Sequence, residues 1–257
     1  MDLGIAGRAA LVCASTSGLG LAIARSLAHE GVRTALCGRR GELAEKEAAA
    51  LPAAWGFGVD LTDPLGAERA VRLARERCGP LHILVLNTGG PPPGRASEES
   101  RDSLQQAIDR LLLTQQDLVR LCLPDMLNAG WGRIIAIGSS GVAEPIPGLA
   151  ASNVGRAALS AYLKTLAEET AEHGVTVNML LPGRFATDRV AALDAKRAAE
   201  AGHSLEEERN ASESAIPIRR YGRPEEFAAV ATFLASAHAS YVTGTRIRVD
   251  GGSMRSL

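Results

Sequence analysis

The chain has 257 residues, 46% of them hydrophobic, and its 28 basic and 29 acidic side chains give a formal charge of −1. This length suits a single α/β domain with a large core; the balanced charge offers nothing for nucleic acid or a membrane surface to recognise, and no apolar run approaches the ~18 residues of a membrane span. Cys13, Cys37, Cys78 and Cys122 are widely spaced without a CxxC, and residues 1–7 lack a basic segment followed by an apolar core, so reduced core thiols, no metal framework and a soluble cytoplasmic protein are expected.

A short apolar run beginning at Arg8 leads into Ala14-Ser15-Thr16-Ser17, after which Gly18 and Gly20 open a segment with Leu21, Ala24 and Leu27 on one helical face. The pattern predicts strand, tight turn, helix. Gly31 stops that helix; 32–37 reads as a second strand ended by Gly38, and 42–51 as an alanine- and charge-rich helix. Residues 54–59 form a third strand closed by Asp60, and 64–78 an amphipathic helix with Pro64 near its first turn. The continuous apolar run 81–86 suits a strand buried on both faces of a parallel sheet. A glycine- and proline-rich loop follows at 87–94, then one long helix, or two in sequence, over 97–127. The remaining elements are strand 134–137, helix 148–172, strand 175–181 broken by Pro182, charged helical stretches over 187–214, helix 224–235 and strand 245–249. Alternation without a linker or repeat means right-handed βαβ units in one α/β domain over 1–257, a doubly wound parallel sheet with helices on both faces. Ligands of such sheets bind beyond the carboxyl ends of the strands, where the strand order reverses.

The opening turn aims backbone N–H groups and the positive end of a helix at an anion, usually a phosphate. Gly18 would let the backbone approach a pyrophosphate, and Gly20 would let the helix pack close on the strand. A dinucleotide site of this kind usually carries an acidic residue at the end of the second strand, for the ribose hydroxyls. Here that end reads Cys37-Gly38-Arg39-Arg40. A guanidinium suits a 2′-phosphate, so NADP(H) is favoured over NAD(H), with Arg39 as the reader and Arg40 as a solvated start to the next helix. Asp60 either accepts from an adenine amino group or caps the turn before Thr62-Asp63-Pro64. Asn87 could brace neighbouring strand ends, Gly89 could admit the nicotinamide ribose, and Pro91-Pro92-Pro93 would stiffen the rim.

Together these segments resemble a short-chain dehydrogenase/reductase over the full length. Ala14 to Gly20 resembles the family's TGxxxGxG turn, Leu86-Asn87-Thr88-Gly89 its NNAG segment, and Gly138-Ser139-Ser140 the strand end with the catalytic serine. Leu181-Pro182-Gly183 followed by Thr187 resembles its PGxxxT turn, and Gly222-Arg223-Pro224 through Val249-Asp250-Gly251-Gly252 its closing segment. Among members the chain most resembles those usually labelled 3-oxoacyl-carrier-protein reductases. The resemblance implies a Rossmann-like fold, a small-molecule substrate, a substrate lid at about 184–214, and homodimers or homotetramers built on 97–127, 148–172 and the last strand. For assembly, Leu111, Leu112, Leu113, Leu118, Leu159 and Tyr162 exceed what one core face needs. The implied cofactor site covers Ser15, Thr16, Ser17, Gly18, Leu19, Gly20, Arg39, Asp60, Leu61, Asn87, Gly89, Arg156, Pro182, Gly183 and Thr187.

The departures fall on the chemistry. The family's tetrad is Asn, Ser, Tyr and Lys; here Leu111 stands for Asn, Ser152 for Tyr and Arg156 for Lys, leaving Ser139. Ala14 replaces the first glycine of the turn and would take a left-handed backbone only at a cost. Hydride transfer to a carbonyl builds charge on oxygen, and neither a Ser hydroxyl nor an Arg is a good acid. The catalytic candidates are therefore Ser139 and Ser152 as hydrogen-bond donors, with water as proton source, and Arg156 as a fixed cation on the nicotinamide ribose, a substrate carbonyl or a carboxylate. The bland alternatives are a capping role for Ser139 and an ordinary helix face for Ser152 and Arg156. Tyr162, Tyr221 and Tyr241 offer no replacement phenol, and the five histidines show no metal spacing. Two functions stay open: an NADP(H)-dependent oxidoreductase with an altered site, or a catalytically silent cofactor-binding protein, as a sensor or subunit.

Overall fold

The computed structural model describes residues 2–256. Seven strands form one parallel sheet in the order β3-β2-β1-β4-β5-β6-β7. They are β1 (Ala9–Val12), β2 (Arg33–Gly38), β3 (Ala54–Gly58), β4 (Ile83–Leu86), β5 (Gly132–Ile137), β6 (Val175–Pro182) and β7 (Arg246–Val249). The helices are α1 (Gly18–His29), α2 (Gly41–Ala49), α3 (Gly66–Cys78), α4 (Arg101–Ile108), α5 (Thr114–Asn128), α6 (Ala150–Thr170), α7 (Asp188–Ala201), α8 (Leu205–Ser214) and α9 (Pro224–Ala235). Each central strand is buried on both faces, and its alternate residues feed two separate cores. Leu11, Leu84 and Ile134 join α3, α5 and α6 on one face; Val12, Val85 and Ile135 join α1 and α9 on the other. A Leu or Val so buried stabilises the fold by roughly 1.5–3 kcal/mol. β1 pairs with β2 on one side and β4 on the other, so the strand order reverses there and the loops after β1 and β4 part.

Several elements differ from the sequence reading, each for a local reason. The 97–127 segment is α4 and α5 joined by a π-helical turn, Asp109–Leu113, in which Thr114 Oγ1 donates to Asp109 O (2.9 Å). That extra residue turns Leu111 inward. Leu111, Leu118 and Leu159 are core residues, so they are not spare apolar surface for a partner; Leu112 and Tyr162 pack partly on the core, and Leu113 alone of the six is 45% exposed. The 187–214 segment is two helices, since Gly202 leaves α7 in a left-handed conformation (φ +73) and Ser204 with Glu207 forms a capping box for α8. Pro182 does not break β6: it is the last residue of the strand, opposite Val249, where its missing N–H costs no ladder bond. α3 begins at Gly66, after Pro64, because two hydrogen-bonded turns occupy the chain before it, Asp63 N–H donating to Asp60 O (3.2 Å) and Gly66 N–H to Asp63 O (2.9 Å). All four cysteines are free and buried. Among the described residues no helix is long and apolar enough to cross a membrane.

Candidate active site

Between β1 and α1 the chain is pinned from three sides. Cys13 N–H donates to Val85 O (3.0 Å), Ser15 N–H to Cys37 O (2.9 Å), and Asn87 Nδ2 to Ala14 O (3.1 Å). These bonds hold Ala14 at φ +45, a left-handed backbone that costs a residue with a Cβ of order 1–2 kcal/mol. Ser15 is buried, with Oγ donating to Val12 O (2.7 Å) and accepting from Cys37 N–H (3.1 Å). Its side chain ties β1 to β2, and the crevice is left to Ser17, Gly18, Leu19 and Gly20. Gly18 sits at φ +58. A Cβ on Gly20 would meet Ala14 O at 2.7 Å and Asn87 Nδ2 at 3.0 Å, so only glycine lets α1 start this close to the turn.

The ends of β4 and β5 and the first turns of α6 supply the opposite wall. Ser139 Oγ accepts from Gly141 N–H (3.1 Å), capping the short turn after β5 while still lining the cavity. Ser152 and Arg156 lie one turn apart on α6, half-buried and facing the same space. Arg156 Nη1 donates to Ile137 O (2.9 Å) and Gly138 O (3.1 Å), which anchors the guanidinium at the end of β5. Burial, and then the charge of Arg189, lowers its pKa to about 10, so it stays cationic near neutrality. Leu111 packs on α6: a Cβ on Gly155 would lie 2.8 Å from Leu111 Cδ1. Asn153, which the sequence reading missed, clamps Ile146 with both amide atoms, Nδ2 to O (2.9 Å) and N–H to Oδ1 (3.3 Å), and so fixes the Pro145–Pro147 rim. The other rim joins it where Gly94 N–H donates to Gly148 O (2.8 Å).

Helices α7 and α8 line the third side, with Pro182, Gly183 and Thr187. Gly183 is forced by packing, since a Cβ would stand 2.6 Å from Asp250 Cα. Thr187 caps α7. A buried carboxylate on α7, Asp194, ties that helix down: Arg184 Nη2 lies 3.0 Å from Oδ1 and Tyr221 donates to Oδ2 (2.8 Å). Tyr221 thereby supports α7, a place the sequence did not suggest. Tyr162, on α6, packs partly on the core and Tyr241 is fully exposed, so among the described residues no phenol lines the cavity with Arg156.

The far end of the crevice lies beyond β2 and β3. Arg40 is the exposed N-cap of α2, as the sequence suggested, and it has a second role: its Nη2 donates to Thr16 Oγ1 (3.0 Å) and Ser17 Oγ (2.8 Å), folding the guanidinium over the turn. Arg39 is exposed and close enough to Asp60 to help hold that carboxyl below its usual range, although the bonds from Thr62 N–H and Oγ1 to Oδ1 (2.9 and 2.8 Å) contribute more. Leu61 is buried in the core behind them. Neither Arg39, Asp60, Leu61, Ser15 nor Thr16 lines the main cavity of about 1030 Å³, which gathers the other predicted residues. A Cβ on Gly89 would meet nothing within 4 Å, an open approach beside the wall. The open glycine edge, the bare start of α1 and the paired guanidinium groups together fit a phosphate-bearing dinucleotide.

A family profile described as enoyl-(acyl carrier protein) reductase matches residues 13–254. Dehydrogenase/reductase SDR family member 4 of Oryctolagus cuniculus is 32% identical, over 98% of this chain and 96% of that one. The 2,3-dihydroxy-2,3-dihydro-p-cumate dehydrogenase of Pseudomonas putida is 34% identical over 98% and 96%. The structure of L-sorbose reductase from Gluconobacter frateurii, complexed with NADPH and L-sorbose, superposes with a TM-score of 0.94 at 30% identity, covering 100% of both chains. The sheet order, the glycine turn and these relatives place the chain in one group of oxidoreductases: it belongs to the short-chain dehydrogenase/reductase family.

Proposed function

We propose that the protein is an NADP(H)-dependent oxidoreductase acting on a carbonyl or alcohol through an altered active site. The observation that carries the cofactor reading is the end of β2, where Arg39 and Arg40 stand without a carboxylate and Arg40 is clamped to the turn hydroxyls. In this reading Ser17 to Gly20 take the pyrophosphate, Arg39 the 2′-phosphate, Asp60 and Leu61 the adenine, and Asn87, Gly89, Pro182, Gly183 and Thr187 the nicotinamide half. The NADPH in the structure of L-sorbose reductase supports the same preference. Arg39→Asp is the first test: fluorescence titration should show the NADPH-over-NADH preference falling by about 10–100-fold, the loss of a charged hydrogen bond or two. An unchanged ratio would remove Arg39 from the 2′-phosphate.

The bound nucleotide would supply a hydride to the carbonyl carbon. Ser139 and Ser152 would donate hydrogen bonds to the oxygen as charge grows there, and the Arg156 cation would stabilise it. Water would deliver the proton. Since the pKa of Arg156 is lowered only to about 10, it stays almost fully charged through neutral pH and begins to lose its proton only toward pH 9. The pH profile of kcat should therefore be flat from about pH 6 to 8; a limb with a pKa near 7 would reveal an acid other than water.

A specific observation keeps the second reading, a cofactor-binding protein without turnover: none of the three tyrosines lines the cavity that Arg156 faces. NADPH binding without oxidation over a broad carbonyl panel would favour it. Failure to bind either nicotinamide nucleotide would sink both readings. A homodimer or homotetramer accompanies the proposal on family resemblance alone, and sedimentation at two concentrations would test it; a cytoplasmic location, in keeping with four free, buried cysteines, belongs to the same proposal.

A further inference from the structure

Two arginines facing the cavity have no counter-ion. Arg184 is neutralised by Asp194 at 3.0 Å, and Arg197 lies 4.0 Å from Glu208. The acidic side chains of the cavity are committed as well. Glu144 accepts from the backbone N–H groups of Arg255 and Ser256, and Asp250 from those of Gly252 and Met254. Asp188 opens α7, where a carboxylate complements the positive end of the helix. Among the described residues, no Asp or Glu oxygen lies within 4.0 Å of the Arg156 or Arg189 guanidinium.

Arg156 is bonded only to the carbonyls of Ile137 and Gly138. Arg189 reaches from the first turn of α7 to the loop after β4, where a Cβ on Gly90 would stand 3.0 Å from its Nη2. The charge of Arg189 is near enough to make Arg156 less basic, in addition to the larger effect of burial. Arg189 is exposed and water screens part of this repulsion, but Arg156 sits in the half-buried wall, and an anion between the two would stabilise its charge. A carboxylate matches the planar fork of a guanidinium with two parallel hydrogen bonds.

We propose that Arg189, with Arg156 behind it, recognises a carboxylate on the substrate, so that the carbonyl compound taken by this site is an oxo acid. The inference rests on the oxidoreductase reading above and adds its substrate class. In the reaction the hydride of NADPH adds to the carbonyl carbon, water gives a proton to the oxygen, and the products are a hydroxy acid, NADP+ and hydroxide; the carboxylate is held and unchanged.

Calorimetric titration of 2-oxobutanoate, 4-oxopentanoate and 5-oxohexanoate, each beside its methyl ester, tests this with and without saturating NADPH. At least one acid is expected to bind the native protein about 10-fold or more tightly than its ester. Arg189→Ala should weaken that acid by about 10–100-fold, the scale of a hydrogen bond to a charged group, and leave the ester and NADPH within about 2-fold. Arg189→Lys should recover part of the loss. Acids that bind no better than esters, that do not bind, or that ignore Arg189→Ala would overturn the assignment. A loss of NADPH affinity in place of acid affinity would move Arg189 to the nucleotide and overturn it too. Acid recognition through Arg189 in a protein that binds no NADPH would sink the cofactor reading alone.

Discussion

The double variant Ser152→Tyr/Arg156→Lys is expected to reduce carbonyls with NADPH about 10²–10⁴ times faster than the native chain, the usual contribution of a positioned general acid. The resemblance to the family implies that a phenol and an ammonium at these two positions form the proton-donating pair. α6 already sets the positions one turn apart on the face that lines the cavity. Ser152 is half-buried against open space, so a tyrosine ring has room without displacing backbone. The lysine must serve the carbonyls of Ile137 and Gly138, which now accept from Arg156 Nη1; an ammonium has three donors and keeps the charge. Arg156→Lys alone supplies no acid and should gain nothing. Ser152→Tyr alone should gain part of the effect, since a neighbouring cation favours the phenolate and lowers its pKa. Initial rates of NADPH oxidation over a carbonyl panel, with thermal melts to establish folding, read the outcome. A folded double variant that binds NADPH and turns over no faster than the native chain would show that more than this pair has been lost.

The fold was legible because period and punctuation agree along the chain. The apolar run 81–86 and the glycines after β1 are patterns whose meaning is local, and each became the element expected. The brace from Asn87 to Ala14 O was legible too, since an amide at a strand end beside a glycine turn has few other partners. What could not be read depends on contacts distant in sequence. Arg40 looked like a helix start, and only the approach of β2 to the turn gives it Thr16 and Ser17 as partners. The π-helical turn at Asp109–Leu113 leaves no mark on hydrophobic period, because one inserted residue shifts the apolar face without ending it. Asp194 looked like one charge among many on a solvated lid; its burial follows from Arg184 and Tyr221 meeting it from 10 and 27 residues away in sequence. Asn153 gave no signal beyond its place in the altered tetrad helix, and its bonds to Ile146 depend on how the proline rim folds back.

Gly20→Ala and Gly89→Val should separate the two physical demands on the crevice, since one glycine is required by the protein and the other by what enters it. At Gly20 an added Cβ would press on backbone, 2.7 Å from Ala14 O and 3.1 Å from Ser15 Cα, and on Asn87 Nδ2 at 3.0 Å. The turn already holds Ala14 in a left-handed conformation and has little freedom to yield. Overpacking of this sort costs about 1–3 kcal/mol, so chemical denaturation should show that loss, and NADPH affinity should fall with it as the turn shifts. At Gly89 nothing lies within 4 Å and φ is not in the left-handed region, so the valine side chain extends into open space. Stability should change by no more than about 0.5 kcal/mol, as for other surface substitutions. NADPH affinity should nevertheless drop by about 30-fold or more, which is the roughly 2 kcal/mol of a ribose pushed from its contacts. Equal affinity for NADPH in the native chain and Gly89→Val, in a protein of unchanged stability, would mean that the nucleotide does not pass this edge. The nicotinamide half would then have to lie elsewhere than along Asn87, Gly183 and Thr187.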